Sequence, residues 1–218
     1  TSDHGDMLGS HGFLMKSVMY DASARVPMVI RGPGVDPDRV CDTAVSLVDI
    51  FPTVLEATAV ERSEDDADLP GQSLMSIAGA PDDPTRAVFS EYHGPMSAAA
   101  SFMIRRGDWK YVRYMLEDTP AQLFDMAADP DELDDRINDP AMAGLTIELE
   151  AELVAILDPD ATDQRVRAEQ QANLTAVERP PRAGGAELPR TALGTIALGW
   201  SVPPPEIMAV VDPQTRAT

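Results

Sequence analysis

The chain has 218 residues, of which 44% are hydrophobic and 25% are charged, a composition typical of a folded globular protein. Its formal net charge of −20 excludes nucleic acid and anionic membrane surfaces as expected partners, because like charges repel. There is no apolar run of about 18 residues, so a membrane-spanning helix is excluded. A single cysteine, Cys41, excludes an internal disulfide framework and a cysteine-rich zinc site.

The first segment, residues 1–16 (TSDHGDMLGSHGFLMK), predicts a tightly bent loop, because it holds Gly5, Gly9 and Gly12. Glycines at this density allow sharp turns and a close approach of the backbone to a ligand. Thr1 begins the chain as if just after a strand, and no signal-peptide pattern precedes it. We therefore expect this chain to be a piece of a longer protein.

A short helix-compatible segment, a buried strand and a longer helix are predicted next. Residues 26–31 form an apolar run that stops at Gly-Pro-Gly, which is typical of a buried strand. Residues 45–60 predict a helix that Asp49 caps and that has Pro52 in its first turn. Its apolar face is expected to consist of Phe51, Val54, Leu55 and Thr58. Residues 61–86 are acidic and loop-like, with a short helical turn between residues 71 and 77.

Antiparallel strands and two helices are predicted in the second half. Residues 88–93 alternate like a strand, and residues 102–106 and 109–115 flank a hairpin turn at Gly107-Asp108. A short strand or turn follows at residues 123–125. Leucines recur at helical spacing in residues 140–157, and residues 158–174 are polar and helix-compatible. From about residue 178 the chain is rich in Pro, Gly and Ala and is expected to have little core of its own.

Side chains that can carry chemistry cluster in the first loop: Asp3, His4, Asp6, His11 and Lys16. A carboxylate next to a neutral imidazole suits a divalent metal with oxygen and nitrogen ligands. A lysine a few residues later suits a tetrahedral oxyanion bound beside that metal. Taken alone, the Asp-His-Gly-Asp pattern is explained equally well by a capped turn with a hydrogen-bonded histidine.

Longer strings carry a family resemblance. They are SDHGDMLG (2–9), GFLMK (12–16), RVPMVIRGPG (25–34), VSLVDIFPT (45–53), GQSL (71–74), RRGDWKY (105–111), QLFD (122–125) and ADPDEL (128–133). In this order, over about residues 1–157, they resemble the sulfatase family of the alkaline phosphatase superfamily.

The resemblance implies an α/β fold class. Residues 1–86 would be the C-terminal part of an alkaline-phosphatase-like α/β sandwich that forms the catalytic domain. Residues 87–157 would form a small antiparallel-sheet α+β subdomain. Residues 158–218, which the resemblance does not cover, are expected from their composition to form a polar and then Pro/Gly-rich tail.

The resemblance also implies roles for the loop residues. Asp3 and His4 match the metal-binding pair, and Lys16 matches the lysine that contacts the sulfate or phosphate oxyanion and assists the leaving group. His11 is either a contact on the leaving-group side or, as the favoured interpretation, a loop-stabilising histidine. Asp6 is expected to accept loop hydrogen bonds, with a supporting role toward the metal pair as an alternative.

The nucleophile that the resemblance implies does not occur in this sequence. In the family it is a formylglycine made from Cys or Ser in a Cys/Ser-x-Pro-x-Arg motif, and Cys41 stands in Val-Cys-Asp-Thr instead. The prediction is therefore the C-terminal portion of a metal-dependent sulfatase, inactive by itself, whose complete form cleaves a sulfate ester to alcohol and sulfate. The implied cofactors are one divalent metal, calcium first with manganese or magnesium as alternatives, and an upstream formylglycine.

A finer resemblance concerns residues 91–94 (EYHG), which are similar to choline-sulfatase-like members. It implies that Glu91 reaches the substrate, where a carboxylate suits a quaternary ammonium group with Tyr92 and Trp109 as aromatic partners. His93 is a second candidate for substrate contact. The alternatives are a Glu91 paired with Arg105 or Arg106 and a solvated His93 at the strand end.

Two other functions stay open at this point. A phosphonate monoester or phosphodiester hydrolase of the same superfamily is one, because Asp3-His4 stands where many relatives have Asp-Asn. A non-catalytic acidic binding domain is the other. For the sulfatase, the expected partner is a small-molecule sulfate ester, with no nucleic acid and no membrane, and the complete enzyme is expected to be a homo-oligomer.

Overall fold

A four-stranded antiparallel sheet forms the centre of the second half of the chain in the computed structural model, which describes residues 1–94 and 99–177. Its strands follow one another in chain order and are β1 (Ala87–Tyr92), β2 (Ser101–Arg106), β3 (Trp109–Tyr114) and β4 (Gln122–Asp125). Arg106 pairs with Trp109 across the tight turn, where Gly107 has a φ of 55°. A positive φ favours glycine, so the predicted hairpin is confirmed.

Five α-helices accompany the sheet in the described part of the chain. They are α1 (Asp21–Ala24), α2 (Ile50–Thr58), α3 (Leu74–Gly79), α4 (Ala143–Ile156) and α5 (Pro159–Val177). Short 3-10 turns lie at Ser10–Gly12, Leu47–Asp49, Glu64–Asp66 and Pro140–Met142. Among these described helices, none is long and apolar enough to cross a membrane.

One face of the sheet packs against α4. Leucines spaced four residues apart along α4 place Leu149 and Leu153 on one stripe, and both are fully buried. They pack against Phe102 and Ile104 of β2 and against Tyr111 of β3. Asp139 begins this segment by accepting a hydrogen bond from the Ala141 N–H. The predicted amphipathic helix is confirmed.

The other face of the sheet is covered by the segment that follows the glycine-rich loop. Met19 packs against Met103 and Val112, and the Tyr20 ring lies 6.1 Å from the Phe124 ring between centroids. The first loop is thereby connected to the sheet through the residues that follow it directly.

The predicted strand at residues 26–31 is wrong. In the described structure this segment joins no sheet, although Val26, Met28 and Ile30 are half-buried and the residues between them are exposed. The alternation of a strand is present, but a strand also needs a neighbouring backbone to pair with. No such neighbour lies beside it in the described residues.

The predicted helix at residues 45–60 is confirmed as α2, and Asp49 caps this segment through a capping box with Ser46 at the turn Leu47–Asp49, which leads directly into α2. Asp49 is fully buried. It accepts hydrogen bonds from the Ser46 N–H (2.8 Å) and the Gln72 N–H (2.8 Å), and it pairs with Arg86 at 2.8 Å. Asp49 therefore joins the start of α2 to the loop before α3 and to the segment before β1.

In the described structure, the predicted apolar face of α2 is more exposed to solvent than the buried face of α4. Phe51 and Val54 are exposed, and Leu55 is half-buried. Residues 178–218, which include the Pro/Gly-rich part of the tail, lie outside the described residues, whereas the polar segment 158–174 is helical, as predicted, in α5. The division of the chain at residues 86 and 157 stays a prediction.

Candidate functional site

The glycine-rich loop is held by backbone hydrogen bonds in a conformation that ordinary residues rarely adopt. The Gly9 N–H donates to the Phe13 carbonyl (2.8 Å), and the Met7 N–H donates to the Met15 carbonyl (2.5 Å). Non-glycine residues have positive φ at Leu8, His11, Met15 and Ser17. Such backbone costs about 1–3 kcal/mol per residue and persists only where surrounding contacts enforce it, most often at functional sites.

Asp3 and His4 present an oxygen and a nitrogen close together. The His4 Nδ1 lies 2.7 Å from the Gly5 carbonyl oxygen, which can only accept a hydrogen bond, so Nδ1 carries the proton. The other ring nitrogen, Nε2, lies 3.5 Å from Asp3 Oδ2. A neutral imidazole in this tautomer has its lone pair on Nε2, on the side of the Asp3 carboxylate.

The electrostatics of this pair fit a cation. A hydrogen bond from the backbone of Asp3 lowers the pKa of the Asp3 carboxyl. The Asp3 side chain is 84% exposed and the His4 side chain 41%, so both are accessible. Within the described residues no group of three or more His, Cys, Asp or Glu side chains could hold a metal ion. Asp3 and His4 thus supply two suitable ligand atoms, which by themselves do not complete a metal site.

Lys16 lies on the same loop, between Met15 (φ 69°) and Ser17 (φ 84°). It is exposed, and no carboxylate of the described residues forms an ion pair with it. The ammonium group of Lys16 is therefore available to an anion.

The remaining loop residues stabilise the loop itself. The His11 ring stacks on the Tyr20 ring with centroids 3.9 Å apart and planes inclined by 9°. This contact supports the loop-stabilising role that the sequence favours for His11. Asp6 accepts a hydrogen bond from the Leu8 N–H at 3.0 Å, which is the expected role of Asp6.

Gly5 connects the Asp3-His4 pair to α1. Its N–H donates to the Ser23 carbonyl at 2.8 Å, and its α-carbon lies against the backbone of Ala22. The residue between the candidate ligands and the rest of the loop is thus joined directly to the helix that lies on the sheet.

The sequence analysis missed a buried ion cluster on the loop side of the sheet. Lys110 of β3 is fully buried, and its Nζ lies 2.7 Å from Asp21 Oδ1 and 2.7 Å from Glu132 Oε1. The second oxygen of Glu132 accepts a hydrogen bond from the Asp21 N–H (2.6 Å), and Arg105 pairs with Asp21 at 3.4 Å. One feature of the sequence could have indicated this cluster. Lys110 is one of only two lysines in the chain, and it lies within a predicted strand between apolar residues.

Glu91 and His93 lie apart from the loop. His93 Nε2 is 3.1 Å from Glu91 Oε2, and the His93 ring meets the edge of Phe102. The Gln170 side chain of α5 donates to the His93 carbonyl. In the described part of the chain, no hydrogen bond or ion pair joins either residue to residues 1–16. Their role as substrate contacts stays a prediction.

The alternative of a solvated His93 is wrong, because its side chain is 17% exposed, and the alternative partners given for Glu91 are wrong as well. Glu91 does not pair with Arg105, which binds Asp21, or with Arg106, which binds carboxylates of α4. Tyr92 packs with the cluster on the loop side of the sheet, whereas Trp109 packs with the α4 side. The two proposed aromatic partners of a quaternary ammonium group therefore lie on opposite faces of the sheet.

Comparison with known families gives a match over most of the described chain. The family described as N-sulphoglucosamine sulphohydrolase, C-terminal, matches residues 9–158. The matched range contains His11, Lys16, Glu91 and His93 and begins after Asp3 and His4.

Individual proteins agree with this match. Arylsulfatase K from Xenopus laevis is 38% identical over 143 residues, which are 61% of this chain and 26% of that protein. This chain therefore spans about a quarter of the length of the curated relatives that it matches. A solved structure described as a 2-O GAG sulfatase superposes with a TM-score of 0.61 at 26% identity, over 78% of this chain and 36% of that one.

A phosphonate monoester hydrolase of Agrobacterium radiobacter is similar to a comparable degree. Its TM-score is 0.58 at 28% identity, over 77% of this chain and 34% of that one. Both structures share the fold described above.

Proposed function

The chain belongs to the sulfatases, as a member of the family of N-sulphoglucosamine sulphohydrolase C-terminal domains, and from this premise we propose that the protein containing it hydrolyses sulfate esters. Water supplies a hydroxyl group to sulfur, the bond between sulfur and the bridging oxygen breaks, and the released oxygen takes up the remaining proton of water, so the products are an alcohol and sulfate. The match over residues 9–158 carries this proposal.

Lys16 is proposed to bind the transferring group. Its exposed ammonium group has no carboxylate partner in the described residues, and the residues on both sides of it have positive φ. A cation there offsets the negative charge that grows on the departing oxygen as the ester bond breaks. Binding that strengthens as the charge develops lowers the barrier rather than merely retaining the substrate.

Asp3 and His4 are proposed to hold a divalent metal through the Asp3 carboxylate and the His4 Nε2. The two side chains suit a divalent metal, because the lowered pKa of Asp3 keeps its carboxyl ionised and the Gly5 carbonyl orients the His4 ring. When bound, the metal polarises the ester oxygen and organises the nucleophile. By family resemblance the metal is calcium, with manganese or magnesium as alternatives. The other ligands and the formylglycine are proposed to lie in the portion that the longer relatives possess.

The proposed substrate is a small molecule that carries a sulfate ester, and the complete enzyme is proposed to be a homo-oligomer. A second candidate is hydrolysis of a phosphonate monoester. It is favoured by the 28% identity with the phosphonate monoester hydrolase and by the Asp3-His4 pair.

The test is an assay of the complete protein with 4-nitrophenyl sulfate, choline sulfate and a phosphonate monoester. We expect turnover of a sulfate ester and a loss of kcat of about 10²-fold or more for Lys16→Ala, since one removed oxyanion contact costs that much. Asp3→Ala should abolish activity and weaken metal binding measured by calorimetry. The matched control is Asp65→Ala, which removes an exposed carboxylate from the turn Glu64–Asp66.

The outcomes separate the candidates. Higher kcat/KM for the phosphonate than for every sulfate ester would replace the first proposal with the second. No turnover of any of the three esters would overturn the proposed chemistry and favour a non-catalytic acidic binding domain. Full activity in Lys16→Ala would overturn the proposed role of Lys16.

A further inference from the structure

The ion cluster formed by Lys110, Asp21 and Glu132 joins residues that are far apart in the chain. Asp21 belongs to the segment that follows the glycine-rich loop, Lys110 to the central strand β3, and Glu132 to the turn after β4. Their charged atoms meet at 2.7 Å around a lysine that is fully removed from solvent. The cluster is the polar contact between the loop side of the sheet and α1.

The arrangement of charges is specific. Two carboxylates, Asp21 and Glu132, surround Lys110, and Arg105 (3.4 Å) and Arg25 (3.7 Å) add positive charge beside Asp21. Glu132 also accepts the backbone N–H of Asp21, so it binds both the side chain of Lys110 and the main chain of α1. Buried ion pairs contribute little net stability compared with apolar packing, but removing one partner is strongly destabilising. Such a cluster therefore contributes more to the placement of α1 on the sheet than to the net stability of the fold.

The backbone of Glu132 supports this conclusion. Its φ is 56°, a left-handed conformation that a non-glycine residue adopts only when other contacts compensate for it. Its side chain is 3% exposed. The turn after β4 is thus held in a strained form in which Glu132 reaches both Lys110 and the Asp21 N–H.

A short series of contacts connects this cluster to the candidate metal ligands. Asp21 is the first residue of α1, and the carbonyl of Ser23 in the same helix accepts the Gly5 N–H. Gly5 in turn follows His4 and orients its ring through its own carbonyl. Every step is a direct hydrogen bond or lies within one four-residue helix.

We propose that Lys110, Asp21 and Glu132 act as positioning residues that hold the Asp3-His4 pair and the Lys16 loop in the geometry that ester hydrolysis needs. This inference rests on the proposed function for its kinetic consequence, but its structural part is independent of it. A displacement of reacting groups by about 1 Å can lower the reaction rate about 10²-fold. A change in the cluster that moves Gly5, and with it Asp3 and His4, is therefore expected to lower kcat.

Deuterium exchange of the complete protein, followed by mass spectrometry, tests the structural part. Lys110→Met removes the central charge while keeping an unbranched side chain, and Asp21→Asn keeps the size and an acceptor while removing a carboxylate. We expect exchange in residues 3–9 to become about tenfold faster in Lys110→Met and to rise less in Asp21→Asn, because the loop opens locally. Residues 101–106 and 143–156 should lose less protection than residues 3–9, although the uncompensated carboxylates lower the stability of the whole fold as well.

The matched control is Arg106→Met. Arg106 is a partly buried cation of the neighbouring strand, but it pairs with Glu148 and Glu152 of α4 on the opposite face. Its loss should leave exchange in residues 3–9 unchanged. A purely structural role for Lys110 would accelerate exchange in the sheet and α4 at least as much as in residues 3–9, and that result, or an unchanged loop, would overturn the inference. If Lys110→Met does not fold, Asp21→Asn decides by the same criteria.

Kinetics of the same variants test the functional part. At a temperature well below the melting point of each variant, kcat should fall about 10²-fold in Lys110→Met, with KM changed less than about threefold. Lys110→Arg, which keeps the positive charge, should recover part of kcat. If the unchanged protein hydrolyses none of the esters, the proposed function fails while the exchange experiment still decides the positioning role. An altered loop with unchanged kcat would overturn the kinetic consequence.

Discussion

The backbone of Gly5 lies against the carbonyl group of Ala22 so closely that a β-carbon at residue 5 would come within 2.1 Å of the Ala22 oxygen. Glycine is therefore required here by a neighbouring backbone rather than by its own dihedral angles. Since His4 precedes Gly5 and uses its carbonyl, this contact sets the distance between the candidate metal ligands and α1.

Gly5→Ala should disrupt the loop. The added carbon meets backbone, which cannot move aside as a side chain would, so we expect a loss of about 1–3 kcal/mol in the free energy of unfolding. Activity of the complete protein should fall more than the loss of stability explains, because Asp3 and His4 are displaced. Gly32→Ala is the control, as a β-carbon there has nothing within 4 Å. Equal activity in both variants would contradict the prediction.

Asp49→Ala should destabilise the first half of the chain. It leaves the Arg86 guanidinium and the N–H groups of Ser46 and Gln72 without their acceptor in a buried site. We expect a loss of about 3–5 kcal/mol, measured by urea unfolding. Asp82→Ala breaks a comparable pair with Arg39 at 3.3 Å, but this carboxylate is 42% exposed. That variant should lose less than about 1 kcal/mol, and a similar loss in both would refute the argument from burial.

Leu149→Ala tests the packing of α4 on the sheet. Leu149 is fully buried against the sheet, so we expect a loss of about 2–5 kcal/mol in the free energy of unfolding. Ile147→Ala, in the same helix, removes an exposed side chain and should change stability by less than about 0.5 kcal/mol. Thermal or urea unfolding followed by circular dichroism distinguishes the two.

Alkaline pH should destabilise the sheet through Tyr111 and Tyr114. Burial raises the pKa of both hydroxyl groups well above their ordinary value, and Glu150 adds to the effect at Tyr111. A raised pKa of an acid means that the folded state favours the neutral form. This contribution to stability is fully present below about pH 10 and is lost as the pH rises toward the folded-state pKa.

Absorbance at 295 nm during an alkaline titration provides the measurement. Part of the tyrosine signal should appear only together with unfolding, and Tyr114→Phe should reduce this late part. Titration of all tyrosines before any loss of circular dichroism would show that the buried hydroxyl groups do not contribute.

Local patterns were sufficient for several elements. The Gly107-Asp108 turn, the leucine spacing of α4 and the glycine-rich loop with Asp3, His4 and Lys16 were all predictable from sequence. Each depends on residues within a few positions of one another, because turn conformation and helical period are properties of a short stretch of chain.

Residues 26–31 show where such patterns are insufficient. Their apolar run is the same whether or not another strand lies beside it, and only pairing makes it a strand. Asp49 likewise stands at the position of a helix cap, yet its partners Gln72 and Arg86 come from later segments that the local sequence does not specify.

The sequence by itself determined the family, the hairpin, the helices α2 and α4 and the loop that carries the candidate ligands, since these follow from short-range patterns and ordered motifs. Only the tertiary structure decided that Lys110 is buried between Asp21 and Glu132, that Glu91 pairs with His93, and that Tyr92 and Trp109 lie on opposite faces of the sheet. Asp21 and Lys110 are 89 positions apart, and contacts at that separation depend on how the sheet and its covering segments pack together.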